Sequence, residues 1–195
     1  KKKWYVRRDE AYYGSPMHFY RTLFKIDSLA ESGFKMYHIK RIPDAKRPSE
    51  LVIQQNINRA QQLRTDSFFY WKNVQLASRF SSQTLGKEPL TIKDVLHRTN
   101  QPGFMAIVFS DDLYVVYTKK WEPGYFKDVY RLPGTLNYAT TIISFINDDT
   151  NVVFDGNGTV IGSTPLYEGS WSNARLSTML PVDYQPNFPA IDHTK

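Results

Sequence analysis

Four histidines, His18, His38, His97 and His193, are the side chains of this 195-residue chain best suited to acid–base or metal chemistry. None belongs to an HExxH pair and no two lie close in sequence, so nothing local gathers a zinc site. Gly14-Ser15 has part of the look of a nucleophile turn, but the pattern GxSxG is absent. Ser15, His18 and Arg21 are the one cluster an unrecognised hydrolase would use, around the start of a helix. Each also has a plain local reading: Ser15 as a helix cap, His18 as a neutral imidazole packed on the first turn, Arg21 on an outer face. Asp155-Gly-Asn-Gly-Thr159 offers oxygens at alternate positions, as a calcium loop does. Its sixth position is Val160 and its twelfth Leu166, where such a loop needs glycine and glutamate, so a hairpin turn is the better reading. No phosphate-binding loop or dinucleotide fingerprint occurs, and the chain has no cysteine, which removes disulfides, thiol catalysis and thiolate metal sites together. The residues therefore call for no catalytic centre, no metal and no cofactor. If there is a site at the first helix, it is Ser15, His18 and Arg21.

The elements that would position that cluster begin with one helix spanning Ala11–Phe34. Ser15 caps it, Pro16 takes the first helical position and Gly33 closes it. Phe19, Leu23, Ile26 and Ala30 recur at helical spacing and face a core, while Arg21, Lys25, Ser28 and Ser32 face outward. Residues 1–10 read as a short strand or a basic linker from a preceding domain. Phe34–Ile42 alternates as a strand. From Ser49 to Arg64 a stripe of Ile53, Ile57, Ala60 and Leu63 predicts a helix. A second helical piece holding Phe69, Trp71, Val74 and Ala77 follows, capped at Asp66 or Ser67. The run FFYW, Phe68–Trp71, is aromatic enough to be mostly core.

After the polar SSQTLGKEPLT the chain becomes strand-like. Phe104–Phe109 and Leu113–Tyr117, separated by Ser110-Asp-Asp112, predict a hairpin. Tyr125–Leu132 and Thr135–Ile146 continue the β character across Pro133-Gly134. Asn151–Phe154 and Thr159–Ile161 form a second hairpin around the Asp155–Gly158 turn. A short helix from Trp171 to Leu180 ends at Pro181, and 184–195 trail over the surface or are disordered. The fold class is α+β, with helices mainly in the N-terminal half packed on a mostly antiparallel sheet from the C-terminal half. The domain reading is one α+β domain over 11–183, with 1–10 as linker and 184–195 as tail.

Composition bounds the partners. A hydrophobic fraction of 41% with 23% charged residues suits a globular domain, and 15% aromatic residues place Phe, Tyr and Trp at the centre of its core. A net charge of +6 raises the question of an anionic partner. Five of the first eight residues, Lys1, Lys2, Lys3, Arg7 and Arg8, are basic and read as a solvated end, with an anionic polymer as the alternative. The strand Leu113–Trp121 (LYVVYTKKW) interleaves aromatic and basic residues, but it lacks the Gly-aromatic pattern of RNA-binding sheets, so nucleic acid is not the expected partner. No apolar run is long enough to cross a bilayer and no signal peptide is present. Opening on Lys1, the chain reads as a fragment or a processed form.

Two stretches carry a resemblance. The first is Arg8, Ala11, Tyr12, Gly14, Ser15, His18, Phe19, Arg21 and Leu23, followed by Glu31-Ser-Gly-Phe34. The second is the C-terminal run from VVFDGNGT onward, with Trp171, Arg175, Met179-Leu-Pro181 and Asp183-Tyr184-Gln-Pro186; Asp112–Tyr117 fits between them. In this order they resemble the C-terminal region of exported Bacteroidetes proteins whose N-terminal part is a carboxypeptidase-regulatory-like β-sandwich. The resemblance implies a periplasmic or surface location, with a signal peptide and an upstream sandwich. It confers no peptidase activity and no catalytic residue. The expectation is thus a non-catalytic binding or structural module of a cell-envelope protein, with an envelope protein, a glycan or the upstream sandwich of the same chain as partner. The alternatives are a hydrolase at the first helix and a basic module binding an anionic polymer.

Overall fold

The structure, a computed structural model, describes residues 2–122, 137–145, 150–173, 179–190 and 192. The chain opens with α1 (Lys2–Tyr12), α2 (Pro16–Lys25), α3 (Leu29–Ser32), β1 (Phe34–Pro43), α4 (Glu50–Leu63), α5 (Ser67–Leu76) and β2 (Phe80–Leu85). It continues with α6 (Ile92–Val95), β3 (Leu96–Arg98), β4 (Phe104–Val108), β5 (Asp112–Trp121), β6 (Tyr138–Ser144), β7 (Asn151–Asp155), β8 (Val160–Ile161) and β9 (Leu166–Gly169), then a 3-10 turn at Ser170–Asn173. The fold is α+β, with helices mostly N-terminal and antiparallel strands mostly C-terminal. A first compact unit comprises Lys1–Lys40 with Leu85–Lys195, and a second comprises Arg41–Thr84. Two sheets are present, one ordered β2-β1-β5-β6-β9 and one ordered β3-β4-β7-β8.

The expected single helix over 11–34 is three. Residues 1–10 are expected as a short strand or linker, but 2–10 are helical, within α1. Ser15 caps α2 as expected, but α2 ends at Ile26, which adopts a left-handed conformation (φ 56). The Ile26 N–H donates to the Leu23 carbonyl and the Asp27 N–H to that of Thr22, the double closure of a Schellman end. Ser28 then caps the short α3, and Gly33 closes it at φ 90. The break rotates the predicted stripe: Phe19 and Leu23 are fully buried, whereas Ile26 is 57% exposed and Ala30 faces solvent. Arg21, expected outside, is buried.

In the first unit α2 supplies Phe19, Tyr20 and Leu23 to a core with Phe34 and Met36 of β1, Leu113, Val115 and Tyr117 of β5, Ile143 of β6, and Val152 and Phe154 of β7. Each such side chain contributes about 1.5–3 kcal/mol by leaving water. On the other face of β5, Tyr114 packs with Ile39 and Ile142. A strand buried on both faces reads as a continuous apolar run, which is what LYVVY is.

The expected hairpin of β4 with β5 does not form. Both edges of β5 are taken, by β1 (Met36 opposite Val115) and by β6 (Leu113 opposite Ile143). β4 instead pairs with β3 and β7 in the other sheet, and Asp111 turns the chain between sheets at φ 55. The second hairpin forms as expected, with Val153 opposite Ile161 and Phe154 opposite Val160. Asp155 makes its turn by accepting hydrogen bonds from the Asn157 and Thr159 amides, both at 2.9 Å. The polar stretch after Ala77 holds β2, an edge strand whose middle is exposed on both faces and therefore carries no alternation. Of Thr135–Ile146, β6 accounts for Tyr138–Ser144. The Tyr125–Leu132 stretch lies outside the described residues, as do 174–178 of the expected C-terminal helix, whose start is the 3-10 turn.

In the second unit, Ser49 caps α4 and the stripe buries Ile53, Ile57 and Ala60, with Leu63 left 63% exposed. The FFYW run is not core: Phe69 and Tyr70 are 71% and 62% exposed, and no residue of α5 is fully buried. Among the described residues no helix is long and apolar enough to cross a membrane.

Candidate functional site

The first-helix cluster is built into the scaffold. The Ser15 hydroxyl accepts a hydrogen bond from the His18 backbone N–H at 3.2 Å, satisfying an amide that the first turn leaves unpaired. The His18 ring lies among Tyr12, Tyr13, Phe34 and Tyr117, 4.9–5.8 Å between centroids, and is 8% exposed. Its Nδ1 accepts from the Gly14 N–H at 3.2 Å, so the neutral ring carries its proton on Nε2. Burial, reinforced by the positive charges of Lys119, Arg21 and Lys25, holds its pKa down to about 3. Arg21 points elsewhere: its guanidinium donates to the carbonyls of Asn157, Val182 and Tyr184, with its charged carbon 5.5 Å from the Tyr12 ring centre. The three residues thus cap, fill and clamp.

This environment fixes a pH dependence. Between about pH 6.5 and 3 the unfolded chain binds a proton at His18 that the folded one does not, so stability falls as pH falls, by about 1.4 kcal/mol per unit. Denaturant titrations at pH 7 and about 4.5 should show a larger acid loss for the wild type than for His18→Gln. Equal losses would mean that the imidazole is open to water.

A second histidine site has hydrolase-like composition without the geometry. His38 Nε2 lies 2.8 Å from the Ser110 carbonyl, 3.1 Å from Ser110 Oγ and 3.5 Å from an Asp111 carboxylate oxygen. All three contacts fall on one nitrogen, whereas a triad divides base and orienting carboxylate between the two. The imidazole fastens the turn between the sheets. Among the described residues no group of three or more His, Asp and Glu could hold a metal.

One concave feature of the first unit is a cleft of about 610 Å³, within the range of small-ligand sites. One wall is α1, through Val6, Asp9 and Glu10, continuing into Tyr13; the other is the end of β5, through Tyr117, Lys119, Lys120 and Trp121. Phe188 and Pro189 close the third side. A bulge shapes the β5 wall: between the pairs Tyr117–Ala139 and Trp121–Tyr138, β5 advances four residues while β6 advances one. The excess chain brings Lys119, Lys120 and Trp121 to the cleft together, where strict alternation would divide them between faces. Thr118 anchors the bulge through its N–H and hydroxyl, both donated to the Gly33 carbonyl, and Lys119 Nζ donates to the Glu31 carbonyl at 2.6 Å. Trp121 stacks on Tyr138 at 6.1 Å and 19°, leaving its indole 40% exposed.

The third wall is made by the C-terminal segment, which is held on α1 and Tyr13. Asp9, buried on α1, accepts from the Tyr184 hydroxyl at 2.6 Å and from the Asn187 and Phe188 amides at 3.0 and 3.2 Å. Tyr13 donates its hydroxyl to the Phe188 carbonyl at 2.7 Å. Burial and the bond to Asp9 push the Tyr184 phenol up to about 12, so it stays a donor at neutral pH. Tyr117, 3% exposed, lines the same cleft; its hydroxyl has no hydrogen-bond partner among the described residues, and burial raises its pKa.

Of these residues, sequence reading reached only the aromatic-basic strand ending in Tyr117 and Trp121. Tyr13 was inside the expected long helix and Phe188 in the expected loose tail. No family model, curated protein or solved structure matches this chain.

Proposed function

We propose that this chain is a non-catalytic binding module of an exported cell-envelope protein and that its ligand is a saccharide seated in the aromatic cleft. The observation that carries the reading is the pairing of aromatic walls with a rim of both signs. Tyr13, Trp121 and Phe188 offer ring surface on which the C–H face of a sugar stacks. Glu10 supplies acceptors and Lys120 supplies donors, which suits hydroxyls that both donate and accept. The non-catalytic part is supported by the commitments of the polar groups. Asp9 is engaged by three donors, and His18 lies under a layer of rings. The envelope setting comes from the ordered resemblance in the sequence.

Calorimetry against a panel of neutral oligosaccharides tests this. A binding sugar should lose about tenfold or more in affinity with Trp121→Ala, because exposed aromatic anchors carry most of a small interface. The variant should keep its melting temperature, since the indole is already 40% exposed. Unchanged affinity in Trp121→Ala, or turnover of the sugar by the wild type, would overturn the reading.

A further inference from the structure

We infer that the second unit carries a docking face for an anionic lipid surface, formed by the outward side of α5. Helix α5 turns Phe69, Tyr70 and Leu76 outward at 71%, 62% and 82% exposure, and Leu63 at the end of α4 is 63% exposed. At 100° per residue Phe69 and Leu76 lie 20° apart on the helix, and Tyr70 lies 100° from Phe69 on the same outward side, with the exposed Asn73 between them. Burying large apolar side chains is the usual reason for a helix to carry them, yet here Phe69, Tyr70 and Leu76 are exposed, and Phe68, Trp71 and Val74 on the other side are only partly buried.

The face is not a frayed end. The Arg47 guanidinium donates to the carbonyls of Val74, Gln75 and Ala77, capping the C-terminal end of α5, and pairs with Glu50 at 3.1 Å. Gln75 Nε2 also donates to Gln54 Oε1 at 3.3 Å, tying α5 to α4. The protruding side chains are therefore presented on a fixed helix.

Charge selects the occupant. Residues 41–84 contain seven Lys and Arg against three Asp and Glu, and Glu50 is already paired with Arg47 and Arg79. Arg59 and Arg64 precede the apolar residues along the sequence, with Asp66 before Phe69, and Lys72 on α5 donates to Gln75 Oε1 at 3.0 Å. Aromatic and leucine side chains that enter the headgroup boundary, with basic residues beside them for lipid phosphates, are the recognition chemistry of an anionic bilayer surface. A second copy of the chain fits less well, because two-fold apposition of this face sets the same cations against one another. The face uses no residue of the saccharide cleft and does not depend on that reading.

The experiment is co-sedimentation of the whole chain with vesicles of phosphatidylglycerol and phosphatidylcholine, compared with phosphatidylcholine alone. Binding is expected on the anionic vesicles only, weakening as salt rises from about 0.05 to about 0.5 M. The double variant Phe69→Ser, Leu76→Ser should lose at least about tenfold in binding. Its fold should be intact, since both positions are exposed, and circular dichroism verifies this. Trp121→Ala should sediment like the wild type. Absence of binding to anionic vesicles, equal binding to both compositions, or an unaffected double variant would each overturn the inference. So would a dimer in light scattering that the double variant dissolves, which would assign the face to a second copy.

Discussion

Arg21→Ala is expected to cost at least about 3 kcal/mol of folding stability, read as a lowered midpoint in urea at unchanged slope. The guanidinium is 4% exposed and donates to three carbonyls from two distant segments, Asn157 in the β7–β8 turn and Val182 and Tyr184 in the C-terminal strap. Hydrogen bonds from a charged donor contribute about 1.5–3 kcal/mol each, and removing the donor leaves carbonyls desolvated without a partner. Alanine also empties the space between α2 and the turn. Arg21→Lys should recover only part of the loss, because one ammonium cannot span three acceptors that a planar fork reaches. A loss below about 1 kcal/mol in Arg21→Ala would show that the cation is not a clamp, and would return it to consideration as a ligand-binding group.

Gly158→Ala should cost more than about 3 kcal/mol, and a comparison within the same protein separates its two causes. Gly158 sits at φ +74, and a Cβ there would stand 2.5 Å from the Met17 carbonyl oxygen and 3.1 Å from Arg21 Cγ. The oxygen belongs to the first turn of α2 and can retreat only if the helix does. Gly162 has a similar φ of +82, yet nothing lies within 4 Å of its Cβ position. Gly162→Ala should therefore show the conformational penalty alone, about 1–2 kcal/mol, and Gly158→Ala that penalty plus the clash. Equal losses in the two variants would mean that the turn is not docked on α2.

These two residues also mark where sequence reading stops. The cap at Ser15 and the turn at Asp155–Gly158 were legible because their partners lie within four residues. So was β5 as a strand, from its β-rich run LYVVY, though not its burial on both faces. The clamp was not legible: Arg21 lies on what periodicity marks as an outer face, and its acceptors are 136 to 163 residues away. The pairing of β4 was lost for a related reason, because alternation specifies a strand and not its neighbour. The FFYW run misled in the other direction, since hydrophobic content measures the gain from burial and not whether a surface is there to provide it. The cleft draws on α1, the β5 bulge and the C-terminal strap, and only the aromatic-basic end of β5 had announced itself.

The most direct test of the account is an NMR titration of the isotope-labelled protein with the oligosaccharide panel, following the Trp121 indole N–H together with Tyr13 and Phe188. The account predicts saturable shifts at all three with one sugar class and none at the His18 ring protons. Saturable shifts confined to another surface, or no saturable shift in the cleft with any saccharide, would contradict it.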